Sequence, residues 1–207
     1  MKVTGVILQM NYLAHAFLSF NEPEIMVGNM ISDFVKGKKK FEYLLQVQHG
    51  IALHRAIDEF TDSHPETKKA KEFFRPHYRL YSGAFVDVVY DHFLANDKNQ
   101  FQDSNELEKF CKKVYQNLRD HFNILPTRFQ KMLPYMIKDD WLFNYRYPRG
   151  LAKSMEGLVH RSLYLEESAT AFNIFDQHNV ALEDCYDNFF PELKKFATGQ
   201  LRNLLAE

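Results

Sequence analysis

The chain has 207 residues and a formal net charge of −1, with 26 lysines and arginines against 27 aspartates and glutamates. This length is enough to bury a stable core without disulfides, and hydrophobic and charged fractions of 45% and 26% exclude a disordered or fibrous chain. The near-zero charge also excludes a global positive field that would attract nucleic acid or an anionic membrane.

The two cysteines and the first ten residues bear on the cellular compartment. Cys111 and Cys185 show no metal-ligand spacing and are interpreted as reduced thiols. Residues 1–10 contain neither an export signal nor a stretch long enough to span a bilayer. We therefore expect a cytoplasmic protein with no membrane and no nucleic-acid partner. Because Met10 offers a second start, residues 1–10 are interpreted as an N-terminal extension or alternative start, and residues 11–207 as one helical domain.

Apolar residues recur at spacings of three and four along most of the chain, while glycine and proline are scarce, with eight and seven residues. This pattern predicts an all-α fold of about eight helices. The fourth helix is expected to open at residues 63–66 and to break at Pro76, and the later prolines are expected to separate helices. The other helices predicted with bounds, in chain order, cover residues 11–20, 21–36, 41–62, 81–95, 104–121 and 181–205.

Several common catalytic motifs are absent from the sequence. It has no P-loop, no dinucleotide-binding glycine motif, no nucleophile elbow and no zincin motif. No histidine follows a glutamate at three residues, which excludes the four-helix di-iron carboxylate site. A functional site must therefore be sought among other polar residues.

Histidines and aspartates occupy helix positions where apolar residues are expected. Asp33 falls in the apolar stripe of the second predicted helix, three residues after Met30. His54 and Asp58 lie one turn apart on the third, where an imidazole and a carboxylate can bind the same ion. Because burying an uncompensated charge costs several kcal/mol, each of these residues needs a partner.

Two further helices repeat this pattern. Asp87 and Asp91 are one turn apart on the fifth predicted helix, His92 lies in its apolar stripe, and His15 stands on the first helix. One such pair is ordinary, since it contributes only about 0.2–0.5 kcal/mol within a helix. Four helices with such residues favour a shared divalent cation, and the chemistry that this predicts is metal-assisted hydrolysis.

Four blocks of the sequence, in order and spacing, resemble the acyl carrier protein phosphodiesterases. The blocks are NYLAH at 11–15, GNMISDFV at 28–35, GIALHRAID at 50–58 followed by TD at 61–62, and DVVYDHFL at 87–94. The resemblance implies an all-helical fold related to the HD-type metal-dependent phosphohydrolases. It also implies hydrolysis of the phosphodiester that joins 4′-phosphopantetheine to a serine of acyl carrier protein, with Mn²⁺ favoured and Mg²⁺ or Fe²⁺ as alternatives.

The resemblance also implies a set of site residues. Asp33 is the strongest candidate for both metal ligand and catalytic centre. One departure concerns the HD signature, because no histidine of this chain is followed directly by aspartate and only the reverse order, Asp91-His92, occurs. The implied metal ligands are His15, Asp33, His54, Asp58, Asp91 and His92.

Roles in catalysis and docking follow from the same resemblance. A carboxylate that does not bind the ion, Asp58 or Asp62, is expected to orient the attacking water, and Arg55 or Arg79 to pair with the phosphate. Acyl carrier proteins are small, acidic and helical, so a cationic surface beside the site is expected to steer them. The candidates for this surface are Lys36, Lys38, Lys39, Lys40, Arg75 and Arg79.

Two alternatives stay open at this point. One is an HD-like phosphohydrolase that acts on a nucleotide or another small phosphodiester through the same metal. The other is a non-catalytic helical adaptor that binds an acidic partner. Activity toward holo acyl carrier protein would argue against the first alternative. Any metal-dependent turnover would argue against the second.

Overall fold

A computed structural model describes residues 12–206 of the chain. These residues form eleven α-helices, four short 3-10 helices and no strand, which confirms the all-α prediction. The predicted N-terminal extension and the first residue of the first predicted helix lie outside the described residues. The α-helices are α1 Tyr12–Phe17, α2 Pro23–Ile31, α3 Leu45–Ser63, α4 Pro65–Tyr78, α5 Ser82–Asn96, α6 Ser104–Asp120, α7 Thr127–Lys138, α8 Trp141–Asn144, α9 Pro148–Arg161, α10 Ala169–Gln177 and α11 Asn179–Leu205.

The number of helices exceeds the predicted eight because short helices carry too little periodicity to be recognised. α8 has four residues and α10 nine. The start of α6 was predictable, since Asp103 caps it: one carboxylate oxygen accepts hydrogen bonds from the amides of Asn105 and Glu106 at 2.8 and 2.9 Å.

Helix α2 differs from its prediction at both ends. The helix begins at Pro23 with Glu22 as its N-cap, two residues later than predicted, and Asn21 has a left-handed backbone with φ of 66°. The helix ends at Ile31, five residues early, and tightens into the 3-10 helix η1, Ser32–Phe34. This early end takes Asp33 out of the α2 stripe and turns it toward α3.

Three prolines lie inside helices rather than between them. Pro76, Pro134 and Pro191 stand within α4, α7 and α11, so the predictions of a break at Pro76 and of separating prolines at the other two are wrong. All three are exposed. Water can therefore reach the carbonyl groups that lose their helical partner, and packing of the buried faces maintains each helix.

Helices α2 and α3 cross in direct backbone contact. A Cβ on Gly28 would lie 2.1 Å from the carbonyl oxygen of Val47, and a Cβ on Gly50 would lie 2.1 Å from that of Ile25. Only glycine allows this approach at both positions. The crossing fixes the register between the two helices. It therefore also fixes the positions of Asn29, one residue after Gly28 on α2, and His54, four residues after Gly50 on α3.

The central helix of the fold is α5, which is buried along nearly its whole length and packs against α1, α4, α9 and α11. Cys111 and Cys185 are buried in the core and are not joined by a disulfide. Within residues 12–206, no helix combines the length and apolar character needed to cross a membrane.

Candidate metal centre

Two imidazoles and two carboxylates meet where α1, η1 and α3 come together. The Nε2 atom of His54 lies 3.1 Å from an Asp58 oxygen and 3.4 Å from an Asp33 oxygen. The Nε2 atom of His15 lies 3.3 Å from the other Asp58 oxygen. Asp58 therefore bridges the two histidines. These four side chains are called the metal centre below.

The two histidines are stacked, with ring centres 3.9 Å apart and an angle of 17° between the ring planes. Both are buried, whereas the side chains of Asp33 and Asp58 are 21% and 20% exposed. The metal centre is thus closed on its histidine side and opens toward solvent on its carboxylate side. An open side is what a catalytic metal site needs for substrate or water.

The buried nitrogen atoms of the metal centre have near neighbours but no hydrogen bonds of good geometry. Neither ring nitrogen of His15, nor Nε2 of His54, nor one oxygen of Asp58 has a hydrogen-bond partner. Such buried atoms are costly when unsatisfied. Lone pairs that converge without being aligned on one another suit a shared central ion, so the residues present fit a divalent cation.

The α2–α3 crossing orients His54. Its Nδ1 atom lies 2.8 Å from the backbone carbonyl oxygen of Asn29, so in the neutral ring Nδ1–H donates to this carbonyl and Nε2 carries the lone pair. A backbone carbonyl behind a ligand imidazole is the usual second layer of a metal site. The side chain of Asn29 donates to the carbonyl oxygen of His15 at 2.9 Å and to Ser19 Oγ at 3.1 Å, which ties α1 to the same frame.

The charges of the metal centre shift its titration. Burial lowers the pKa of His54, but the contacts with Asp33 and Asp58 outweigh burial and raise the pKa to about 10. Burial and then the neighbouring His54 lower the pKa of His15. Burial acts to raise the pKa of Asp58, yet the two imidazoles hold that pKa well below its usual range. The carboxylates that keep a proton on His54 would hold a divalent cation in its place.

Among residues 12–206, one set of three or more histidine, cysteine, aspartate or glutamate side chains has ligand atoms within 4.8 Å of one another, and it consists of His15, His54 and Asp58. Asp33 adds a fourth oxygen through its contact with His54. The structure therefore brings together four of the six residues predicted as ligands.

Asp91 lies elsewhere and has a different task. It is fully buried, and its two oxygens accept hydrogen bonds from the amides of Leu13 and Ala14 at 3.0 and 2.8 Å. These amides belong to the first turn of α1, where free N–H groups attract a carboxylate. Asp91 thus anchors α1, the helix that carries His15. It was predicted as a metal ligand, but it lies outside the metal centre.

His92 also binds a main-chain group. Its Nδ1 atom lies 2.7 Å from the carbonyl oxygen of Tyr145, and its ring packs edge-on against Phe175 with centres 5.2 Å apart. Burial lowers the pKa of His92. This histidine ties α5 to the turn after α8, and it too lies outside the metal centre, contrary to its prediction as a ligand.

The other predicted catalytic residues lie around the metal centre. Arg55 is exposed and donates a hydrogen bond to the carbonyl oxygen of Val35 at 3.1 Å, two residues beyond Asp33. Asp62 lies one turn beyond Asp58 on α3, where it pairs with Lys71 at 2.6 Å rather than with a histidine.

The predicted docking residues form two groups. Lys36, Lys38 and Lys39 are exposed and Lys40 is half-buried, and all four directly follow η1. The second group lies on and after α4: Arg75 pairs with Glu72 at 2.7 Å, and Arg79 has a left-handed backbone with φ of 46°. The second group lines a cavity of about 560 Å³ together with Asp62, Lys71 and Asp87.

Sequence reasoning missed the residues that hold the metal centre together. Asn29 and Ser19 are polar and fully buried, and Gly28 and Gly50 allow the helix crossing. The signal in the sequence was the pair Gly28-Asn29, a small residue beside an amide in an otherwise apolar helix. This pair indicates a close contact only when its partner Gly50 is known.

The fold and the metal centre define an all-α protein with a histidine–aspartate site compatible with a divalent metal. A family model described as acyl carrier protein phosphodiesterase matches residues 10–193. The chain therefore belongs to the acyl carrier protein phosphodiesterase family.

Curated relatives carry the same description. The acyl carrier protein phosphodiesterase of Yersinia pestis is 32% identical over 188 residues, which cover 91% of this chain and 97% of the relative. That of Enterobacter sp. (strain 638) is 32% identical over 184 residues, 89% and 95% of the two chains. That of Klebsiella pneumoniae subsp. pneumoniae is 30% identical over 191 residues, 92% and 99%. No solved structure gives a significant match to the chain.

Proposed function

We propose that the protein is a metal-dependent hydrolase that removes 4′-phosphopantetheine from holo acyl carrier protein. Water cleaves the phosphodiester and yields apo acyl carrier protein, with its serine hydroxyl restored, and free 4′-phosphopantetheine. The observation that carries the proposal is the metal centre, in which Asp58 bridges two stacked histidines and buried ring nitrogens lack hydrogen bonds. Family membership supplies the substrate.

His15, Asp33, His54 and Asp58 are the residues that would hold the cation, for which Mn²⁺ is our first choice. When bound, a divalent cation supplies Lewis acidity toward a phosphoryl oxygen and toward water, and it offsets the charge that develops at phosphorus. His54 presents Nε2 because its Nδ1 is fixed on the carbonyl of Asn29. The all-helical arrangement and this mixed ligand set also support the relation to HD-type phosphohydrolases.

The remaining polar residues suit the other demands of the reaction. Asp33 and Asp58 face the open side of the metal centre, so a carboxylate oxygen that does not bind the ion can accept a proton from the attacking water. Arg55 is exposed and binds the carbonyl of Val35, two residues beyond Asp33, and it has guanidinium donors beyond the one used there. It is our first choice to pair with the phosphate.

The direct test is the mass of the carrier protein. Incubation of holo acyl carrier protein with the enzyme and Mn²⁺ should remove the mass of the prosthetic group, and EDTA should prevent the loss. Hydrolysis of nucleotides but not of the carrier protein would instead support the small-diester alternative. Absence of any metal-dependent turnover would leave the non-catalytic adaptor as the remaining alternative.

Electrostatic docking has a separate test. If the lysines at 36 and 38–40 steer the acidic carrier, added salt should lower kcat/KM for holo acyl carrier protein far more than for a small diester, because exposed charges are screened. Equal salt sensitivity of the two substrates would contradict this role.

A further inference from the structure

The segment between Asp33 and α3 exposes large apolar side chains. Phe41, Leu44 and Leu45 are 63%, 69% and 55% exposed, although such residues are usually buried. They fall within five consecutive residues, from the 3-10 helix η2, Gly37–Glu42, to the first residue of α3. Clustered exposed apolar side chains with a polar border mark interaction sites.

The segment that carries these exposed side chains is anchored near both of its ends. At its start Val35 is buried, and the Val35 carbonyl oxygen accepts a hydrogen bond from Arg55. At its end Gln48 donates to the carbonyl oxygen of Tyr43 at 2.8 Å. Arg55 and Gln48 both belong to α3, so the same helix that carries His54 also fixes the apolar side chains in place.

Positive charge borders these apolar side chains. The ammonium group of Lys40 lies 4.9 Å from the centre of the Phe41 ring. Over residues 36–45 the chain has the four lysines at 36 and 38–40 against one acid, Glu42. The N-terminus of α3 adds partial positive charge, because Leu44 provides no side-chain cap and the first turn has no acidic residue.

We propose that Phe41, Leu44 and Leu45 form the apolar centre of a docking surface for an acidic amphipathic helix, with the four lysines as its basic rim. This inference rests on the proposed function, since acyl carrier protein is the acidic helical partner that the chemistry fits. An apolar centre inside a charged rim is the usual anatomy of a protein interface. The rim accelerates encounter, and the centre supplies affinity.

The position of the surface supports this occupant. The bond to be cleaved is on the carrier's own serine, so the carrier protein itself must dock close to the metal centre. Leu45 and His54 are nine residues apart on α3, which is about 14 Å along a helix axis. This is little more than the diameter of one helix, about 10–12 Å. A helix on the surface therefore lies within reach of the metal centre.

The test compares two leucine variants. Leu45→Ser removes an apolar side chain from the centre of the surface without introducing a serine at the N-cap position of α3, which Leu44 occupies. Leu163→Ser makes the same change at a leucine that is 83% exposed in the segment after α9. For each, kcat/KM is measured with holo acyl carrier protein and with bis(4-nitrophenyl) phosphate, both with Mn²⁺. We expect the ratio of the two values to fall about tenfold in Leu45→Ser and to stay at the wild-type value in Leu163→Ser.

An unchanged ratio in Leu45→Ser, or an equal fall in both variants, would overturn the docking surface. Failure of the proposed function would look different, because the wild type would then leave the holo carrier intact. In that case fluorescence anisotropy of labelled apo acyl carrier protein decides. Binding to wild type and Leu163→Ser with at least tenfold weaker binding to Leu45→Ser supports the surface, and no binding to wild type overturns it.

Discussion

The metal centre and the Asp91–His92 pair of α5 contain the same side-chain types, yet their partners differ. In the metal centre, imidazoles face carboxylates, and Nε2 of His54 has no hydrogen bond of good geometry. On α5, both Asp91 oxygens bind backbone amides and His92 Nδ1 lies against a backbone carbonyl. One group has unsatisfied donors and acceptors around a solvent-facing opening, and the other is satisfied by the main chain.

This difference separates a cluster that suits an ion from one that the main chain satisfies. A buried polar side chain costs little when the backbone satisfies it, and it then stabilises the packing of elements. In a cluster whose polar atoms converge without satisfying one another, that arrangement costs free energy, and binding of an ion would offset the cost. Residue type alone predicted ligands in both places, and the partners distinguish them.

The largest predicted effect is a difference in kcat/KM between variants of Asp58 and Asp91. Asp58→Asn removes the charge that bridges His15 and His54, and we expect kcat/KM with Mn²⁺ to fall about a thousandfold, equivalent to ~4 kcal/mol. The circular dichroism of the helices should stay unchanged. Asp91→Asn is the matched control, and its kcat/KM should stay within about tenfold of wild type. Equal losses in the two variants would erase the distinction between the two regions.

For the free energy of unfolding, in contrast to kcat/KM, we expect the larger loss at Asp91. Asp91→Ala leaves the amides of Leu13 and Ala14 buried without acceptors, at a cost of ~1–3 kcal/mol for each. We therefore expect the free energy of unfolding in urea to fall by ~2–6 kcal/mol. Asp91→Asn, which keeps one acceptor oxygen, should recover part of the loss. An Asp91→Ala protein as stable as wild type would show that this carboxylate does not anchor α1.

A substitution at the α2–α3 crossing, which positions His54, is expected to have a smaller effect on stability. Gly50→Ala places a Cβ where the Ile25 carbonyl lies 2.1 Å away, so α2 and α3 must separate. We expect a loss of ~1–3 kcal/mol in unfolding free energy and weaker Mn²⁺ binding, because His54 is oriented by Asn29 of α2.

Gly199→Ala is the control for this substitution. Gly199 lies inside α11, and a Cβ added there would meet no neighbouring element within 4 Å. Alanine at this position should therefore stabilise the helix by ~0.5–1 kcal/mol. If Gly50→Ala behaved like Gly199→Ala in thermal unfolding, the close crossing would not exist in solution.

The smallest effect concerns pH. Burial lowers the pKa of His92 below the ordinary value of 6.5, so the unfolded chain binds a proton at a higher pH than the folded protein does. The free energy of unfolding should therefore fall as the pH drops through 6.5. His92→Gln should reduce this acid sensitivity in urea titrations at about pH 7.5 and about pH 5.5. An unchanged sensitivity would mean that His92 titrates like an exposed histidine.

Local patterns predicted much of the fold. The apolar spacing predicted helices, and the helix predicted over residues 104–121 matches α6 within one residue at each end. The prolines at 76, 134 and 191 misled because a helix tolerates proline on an exposed face when its buried face packs well. Sequence spacing reports the local cost of a proline and not the tertiary packing that outweighs it.

The candidate site was predictable where its geometry is local. His54 and Asp58 share a helix face through their spacing, and the structure places them 3.1 Å apart. The partners of Asp91 and His92 lie 77 to 78 and 53 residues away in sequence and are main-chain groups. Every residue has such groups, so no side-chain pattern reveals which of them a buried aspartate or histidine will bind.

Anomalous diffraction from crystals soaked in Mn²⁺ tests the central claim most directly. We predict a peak at the manganese absorption edge among the side chains of His15, His54, Asp58 and Asp33, and its absence from crystals of Asp58→Asn. A peak beside Asp91 and His92, or no peak in wild-type crystals that diffract well after the soak, would contradict the account.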